Sequence, residues 1–189
     1  MRELVRRNYS ITGPSIVTGN ALDARTYISH VAGCDTFVHL VGVSHPHPWK
    51  KNLFRSVDYV SAHEAIVAAK RSGIKHFVYI SVAHPAPIMR EYIEVRKECE
   101  KIIIDSGIPA TIIRPWYVIG PGHSWPLLIS PVYKILEAIP STRAAARRLG
   151  LVTLRQMEDT LLHAIESPAR QLKIYGVEEI KAVGKLISE

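Results

Sequence analysis

The sequence alternates short apolar runs typical of β-strands with longer segments of helical periodicity, and few folds accommodate this alternation. Strand-like runs lie at residues 15–18, 36–41, 76–81, 110–113 and 172–175. Apolar residues recur at helical spacing in residues 23–32, 50–72, 91–106, 131–139 and 156–167. Apolar strands separated by helices form parallel sheets that are covered on both faces. We therefore predict a doubly wound, mostly parallel α/β fold.

Length and charge exclude several classes of protein. A chain of 189 residues, of which 47% are apolar, corresponds to one globular domain. It has no apolar run of the roughly 18–20 residues that span a membrane, and no signal-peptide core. We therefore expect a cytoplasmic protein without a membrane partner. The net charge of +7 is spread thinly and has no nucleic-acid motif beside it, so we expect no nucleic-acid partner.

The candidate site follows from the fold class. Ligands of open parallel sheets bind outside the carboxyl ends of the strands. The segments that follow the predicted strands are residues 19–23, 42–47, 81–87 and 115–122. These segments contain most of the polar and aromatic residues with unusual chemistry.

The motifs at these strand ends resemble those of a known superfamily. They are GNALD at residues 19–23, VHLVG at 38–42, FVYIS at 77–81, and YIEVR at 92–96 followed by TIIRP at 111–115 and GPG at 120–122. Their order and spacing resemble the NAD(P)-binding short-chain dehydrogenase/reductase superfamily, in particular its epimerase-like and NmrA-like branches. The resemblance covers roughly residues 15–125 and implies a Rossmann-type sheet. It implies a cofactor-binding core at residues 1–125 and a small substrate-side portion at 126–189 within a single domain.

The resemblance implies three catalytic residues. Tyr92 would exchange a proton with the substrate, and Ser81 would polarise the substrate oxygen. Arg96 stands where the family has a lysine that holds the nicotinamide ribose and lowers the phenol pKa. A purely structural role is open for each residue: Tyr92 as a core tyrosine, Arg96 in a surface ion pair with Glu100, and Ser81 as a strand-end cap.

The resemblance also implies residues that would line the cofactor. Asn20 and Asp23 would border the adenine. The segment that passes beside the cofactor includes Leu40, Val41 and Gly42, and Pro115 follows a neighbouring strand. Arg6 and Arg7 follow the strand after which the family reads the adenosine 2′-phosphate, and a guanidinium favours NADP over NAD there.

Four residues near the later strand ends are candidates for contact with substrate. His84 lies on the loop after one strand, and Trp116, Tyr117 and His123 cluster around the GPG loop. A rigid, partly apolar substrate wall and an ordinary packed loop are both open for the aromatic cluster. The His45-Pro46-His47 spacing is poor for zinc, so we expect no metal.

Three departures from the family pattern matter. Asn20 stands where the family's GDxxD turn has its first aspartate, and an amide can still accept or donate at an adenine edge. Arg96 replaces the lysine, and its planar guanidinium is not equivalent to an ammonium group. No glycine spacing in the chain fits GxGxxG, the turn that places a pyrophosphate on a helix N-terminus. The pattern begins at the second strand of the family fold, near residues 3–6. We therefore expect the first strand and helix to be missing, through N-terminal truncation, which would leave an open seam in the sheet and could abolish dinucleotide binding.

Two classes of function remain. The first is an NAD(P)-dependent oxidoreductase or epimerase-like enzyme acting on a small-molecule substrate. The second is an NmrA-like protein that senses a dinucleotide without turnover, or an inactive fragment. The oligomeric state stays open, with a homo-oligomer among the alternatives.

Overall fold

The computed structural model describes residues 2–5, 15–44, 46–120 and 139–186. All strands are three to five residues long, as expected of a small parallel sheet. They are β1 (Arg2–Val5), β2 (Ser15–Thr18), β3 (Thr36–His39), β4 (His76–Ile80), β5 (Ala110–Ile113), β6 (Tyr117–Ile119), β7 (Leu151–Thr153) and β8 (Leu172–Tyr175).

The helices follow the strands along the chain. Each is given with its bounds: α1 (Ile28–Val31), α2 (Lys51–Leu53), α3 (Val60–Arg71), α4 (Arg90–Asp105), α5 (Pro140–Arg148), α6 (Leu154–Glu166) and α7 (Val177–Leu186). Short 3₁₀ turns span Ala24–Thr26 and Pro48–Lys50, and a π-helical segment, Phe54–Tyr59, joins α2 to α3. None of the helices in the described part of the chain is both long and apolar enough to cross a membrane.

A four-stranded parallel sheet in the order β3-β4-β5-β8 forms the centre of the fold. Alternate residues of β4 point to opposite faces, as the pleat requires. Phe77 and Tyr79 pack into a core with α3 and α4. Val78 packs into a second core with α6 and α7. The predicted doubly wound α/β sheet with helices on both faces is therefore confirmed.

The described strands form two further small sheets. β1 pairs with β2 in parallel, and β6 pairs with β7. Among the described strands β3 pairs only with β4, so its other edge carries no partner. The described strands therefore form separate β1-β2 and β3-β4-β5-β8 sheets rather than one continuous sheet.

Several predicted elements differ in detail. The predicted helix at residues 23–32 is divided into a 3₁₀ turn and α1, and the strand at 36–41 ends at His39. The segment predicted as one helix at 50–72 contains the π-helical turn. The helix predicted at 131–139 lies almost entirely outside the described residues. The elements α5, α7, β6 and β7 are not among those predicted from the sequence. The helix α5 lacks large apolar residues at helical spacing, and the strands β6 and β7 have three residues each.

Candidate active site

One face of α4 carries the candidate chemistry. Tyr92, Arg96 and Glu100 are spaced four residues apart, so they lie above one another on the helix. This face packs on the π-helical segment and on the carboxyl ends of β4 and β5. Arg96 and Glu100 are 6% and 4% exposed, which is uncommon for charged residues unless they are paired.

Arg96 forms a buried ion pair with Asp58. Its Nη2 lies 2.6 Å from Oδ1 of Asp58, whose side chain is fully buried. The other terminal nitrogen, Nη1, donates to the hydroxyl of Tyr79 and to the carbonyl of Ile80, each at 2.9 Å. The alternative of a surface ion pair between Arg96 and Glu100 is wrong. Arg96 pairs with Asp58 in the interior, and Glu100 pairs with Arg114. The guanidinium is therefore held by protein groups at the end of β4.

Gly42 is the point of closest approach to this pair. A methyl group at Gly42 would collide with Nη2 of Arg96 and would lie 3.0 Å from Oδ1 of Asp58. The neighbouring amide of Val43 donates to Oδ2 of Asp58 at 3.2 Å. The glycine at the end of the β3 segment is thus required by the buried ion pair, and the pair fixes the loop that follows β3.

Tyr92 packs against this network as a half-buried side chain. Its ring meets the ring of Phe54 edge-on at 5.1 Å, and the Arg96 guanidinium lies 5.2 Å from its centroid. Burial raises the pKa of the Tyr92 phenol. The charge of Arg96 lowers this pKa, whereas the charge of Asp58 raises it. A phenol that loses a proton near neutral pH needs the opposite balance.

Ser81 belongs to a second polar cluster on the same helix face. Its hydroxyl donates to Oε1 of Glu100 at 2.5 Å, and the residue is 4% exposed. Arg114 holds the same carboxylate with two nitrogens, Nε at 2.9 Å and Nη2 at 2.5 Å. This arrangement ties the carboxyl ends of β4 and β5 to α4.

His84 lies at the edge of this second cluster. Its Nε2 is 3.5 Å from Oε2 of Glu100, and its side chain is 17% exposed. Burial and the positive charge of Arg114 lower the pKa of His84, while Glu100 opposes this shift. The shift favours the neutral imidazole, which lies close to a fixed carboxylate at the edge of the cluster.

The expected cofactor-lining residues lie at the carboxyl ends of β2, β3 and β5. Leu40 is 62% exposed and Val41 is 37% exposed, so an apolar surface lies open directly after β3. Asn20 Oδ1 accepts from the amide of Leu22, and Asp23 pairs with Arg25 at 2.8 Å. The side-chain acceptors of both residues are therefore used locally, while Pro115 is buried.

These residues fit one part of a dinucleotide and not another. The exposed apolar surface of Leu40 and Val41, next to Gly42, fits the flat face of a ring or a ribose. The described residues contain no glycine-rich turn that opens a helix, and so no cradle for a pyrophosphate.

The remaining candidates are distributed as follows. Trp116 and Tyr117 are half-buried and meet edge-on at 5.5 Å, and Trp116 packs against the second core, as the packed-loop alternative expects. Arg6, Arg7 and His123 lie outside the described residues. No group of histidine, cysteine and acidic residues able to hold a metal ion is found in the described ranges.

Asp58 is the residue that sequence reasoning missed. It lies within a segment whose apolar positions include Phe54, Val57 and Ala62. An acidic residue at the buried face of such a helix is rare unless it has a charged partner, and this is the signal that could have identified it. Its partner, Arg96, is 38 positions further along the chain, and no local pattern connects the two.

Comparison with known proteins gives one family match. A family model described as NAD(P)H-binding matches residues 3–122. No curated protein matches the chain.

Solved structures share the fold at low sequence identity. A uronate dehydrogenase from Agrobacterium tumefaciens is 17% identical, with a TM-score of 0.63 over 97% of this chain and 73% of that one. A nucleoside-diphosphate-sugar epimerase from Staphylococcus aureus is 16% identical, with a TM-score of 0.62 over 99% and 67%. WbmH from Bordetella bronchiseptica, solved with NAD⁺, is 16% identical, with a TM-score of 0.62 over 96% and 68%. The chain spans about two thirds of the length of these proteins, and 64% of a mutated uronate dehydrogenase.

Proposed function

The chain belongs to the NAD(P)H-binding family, and on this premise we propose that it is an NAD(P)-dependent oxidoreductase or epimerase-like enzyme acting on a small-molecule substrate. The short-chain dehydrogenase/reductase resemblance of its sequence is confirmed by this family and by the shared fold. The neighbours named above include a uronate dehydrogenase and a nucleotide-sugar epimerase. A hydroxylated, sugar-like molecule is therefore the substrate class that we propose.

One observation carries this proposal. The carboxyl ends of the neighbouring strands β3 and β4 carry the exposed apolar segment at Leu40 and Val41 and the Ser81 hydroxyl, and the Tyr92–Arg96 face of α4 packs beside them. A bound nicotinamide supplies the hydride acceptor or donor for this chemistry. In the proposed site, Leu40, Val41 and Gly42 line the dinucleotide, and Ser81, Tyr92 and His84 lie on the substrate side.

A second candidate function is the sensing of a dinucleotide without turnover. Sensing is favoured by the hydrogen bonds and ion pairs that the candidate catalytic residues form with other protein groups. Arg96 is held by Asp58 and Tyr79, the Ser81 hydroxyl donates to Glu100, and burial raises the pKa of Tyr92. None of these contacts prevents a ligand from resting on the exposed segment after β3.

A titration of the full chain with NADPH and NADH, followed by nicotinamide fluorescence, tests both functions. We expect saturable binding, which Leu40→Asp weakens at least about tenfold because its carboxylate repels the phosphates. Leu172→Asp is the matched control, since Leu172 is 44% exposed at the amino end of the edge strand β8, opposite to the carboxyl ends of the strands. Absence of binding to the unmodified chain would exclude both functions, and equal effects of the two variants would exclude this location.

Turnover separates the two functions. With oxidised dinucleotide and a panel of sugar alcohols and sugars, an enzyme produces reduced nicotinamide and a sensor does not. Arg96→Lys restores the family's lysine, so it should raise the turnover of an enzyme and leave a sensor without activity. Dinucleotide affinity and circular dichroism of this variant serve as the controls for folding.

A further inference from the structure

A cavity of about 510 Å³ adjoins the candidate site and was not assigned by the sequence. It lies between residues 85–87 and α5. Residues 85–87 continue directly from the residues that include Ser81 and His84, so one wall of the cavity belongs to the loop after β4. Its volume lies in the range of small-molecule sites.

The walls of this cavity are mostly apolar, with Thr142 as a polar residue and Arg148 as the charged side chain. Prolines and an alanine of residues 85–87 form one wall, and Ala145, Ala146 and Leu149 form the other. Nε of Arg148 donates to the carbonyl of Pro85 at 3.1 Å, and this bond fixes the plane of the guanidinium. Within the described residues, neither Nη1 nor Nη2 of Arg148 has an acceptor, and no carboxylate pairs with it.

The charged residues of α5 all have one sign. α5 contains Arg143, Arg147 and Arg148 and no acidic residue. Arg147 lies 3.7 Å from Glu178 on α7 and does not line the cavity. Arg148 is therefore the arginine of α5 that combines a fixed orientation, unpaired terminal nitrogens and a place in the cavity wall.

We propose that this cavity binds the anionic group of the substrate, with Arg148 receiving a carboxylate or phosphate through its two terminal nitrogens. A guanidinium that is oriented by one bond and has free terminal nitrogens matches the geometry of such oxyanions. The alanines and prolines accept the carbon skeleton. The claim that the anion belongs to the substrate rests on the proposed function. The claim that the cavity binds an anion does not.

Three probes that differ only at C6 test the proposal: D-glucose, D-glucuronate and D-glucose 6-phosphate. Each is titrated into the ¹⁵N-labelled full chain, and the dissociation constant is taken from the amide and Arg Nε–H shifts. We expect at least one acid to bind about tenfold more tightly than glucose, because a charge-assisted hydrogen bond replaces a neutral one. Whichever acid gains more affinity identifies the oxyanion as a carboxylate or a phosphate.

Two neighbouring variants locate the effect. In Arg148→Gln the advantage of the acid over glucose should fall to within twofold. In Arg147→Gln, which removes the same charge one residue away, the advantage should remain. Arg148→Lys keeps the charge without the bond to Pro85, so it should retain more than a twofold advantage. The proposal is overturned if the unmodified chain does not discriminate acid from glucose, or if Arg148→Gln still does.

Dinucleotide titration of the same samples separates this proposal from the proposed function. Arg148→Gln should bind NADPH within twofold of the unmodified chain. If Arg148→Gln loses the preference for the acid over glucose but still binds NADPH, the loss is assigned to the anion site and leaves the proposed function untouched. Acid discrimination that depends on Arg148 in a chain that binds no dinucleotide would overturn the proposed function and leave the anion site in place.

Discussion

At the scale of single residues, the replacement of the family's lysine by Arg96 changes what this position does. An ammonium group on a flexible stem is available to a ligand, whereas the Arg96 guanidinium is fixed by Asp58, Tyr79 and the carbonyl of Ile80. Removing one partner from a buried ion pair leaves an uncompensated charge, and this costs more than the pair itself stabilises. Arg96 therefore stabilises the region around Gly42 whether or not it also contacts a cofactor.

Asp58→Asn should lower the free energy of unfolding by about 3 to 5 kcal/mol, because the Arg96 charge stays buried without a counter-charge. Urea denaturation measures this change. The matched control is Glu98→Gln, which breaks the exposed Arg55–Glu98 pair and should cost less than about 1 kcal/mol. Equal costs for the two variants would show that the Asp58–Arg96 pair does not contribute as its burial implies.

His39 gives the fold a dependence on pH. It is 4% exposed, and burial, with the charge of Arg96, lowers its pKa to about 3. The unfolded chain binds this proton near pH 6.5 and the folded chain does not, so stability is complete above pH 6.5 and falls as the pH drops toward 3. The expected loss is about 1.4 kcal/mol per pH unit within this window. Urea unfolding at a series of pH values measures it.

His39→Gln should remove this part of the pH dependence. His63→Gln, at an imidazole that is more than half exposed, is the matched control for replacing a histidine by glutamine. The buried His76 contributes in the same direction, since burial lowers its pKa as well. A profile of His39→Gln with the same slope as the unmodified chain would contradict the assignment.

At the scale of elements, the candidate site depends on which side chains α4 and the π-helical segment before α3 direct toward each other. The four-residue spacing of α4 is visible in the sequence and places Tyr92, Arg96 and Glu100 on one face. The π-helical segment changes the helical phase between α2 and α3, and the buried Asp58 lies within it. Apolar periodicity predicts that residues 50–72 are helical, but it does not reveal the wider turn.

The helix α5 is not among the elements predicted from the sequence, and the reason is physical. Its sequence, PSTRAAARR, begins with proline at the first helical position and contains good helix formers, but it has no stripe of large apolar residues. Only Ala146 of this helix is buried. A helix held mainly by propensity and by its neighbours gives little periodic signal, and α5 forms one wall of the cavity at Arg148.

At the scale of the whole molecule, the described sheet is divided into a small part, β1-β2, and a central part, β3-β4-β5-β8. β4 and β5 are buried along almost their whole length, whereas Ile16 and Val17 of β2 are half-buried. Regions with few buried contacts open locally without unfolding of the rest. The two parts should therefore differ in local stability.

Amide hydrogen exchange measured by NMR checks this difference. The amide of Val78 in β4 should exchange at least about a hundredfold more slowly than that of Val17 in β2, a difference of about 2.8 kcal/mol. The amide of Ile112 in β5 serves as the internal reference and should follow Val78. Similar protection of Val17 and Val78 would show that the two sheets open as one unit.

The sequence alone determined the fold class and the helix face that carries the candidate residues. Apolar strands separated by helices form a parallel sheet covered on both faces, and residues spaced four apart on a helix lie on one face. The tertiary structure decided the partners: Asp58 for Arg96, Glu100 for Ser81 and Arg114, and the cavity beside Arg148. These contacts join residues from different elements, and their distances depend on how helices pack across the sheet, which no local pattern in the chain encodes.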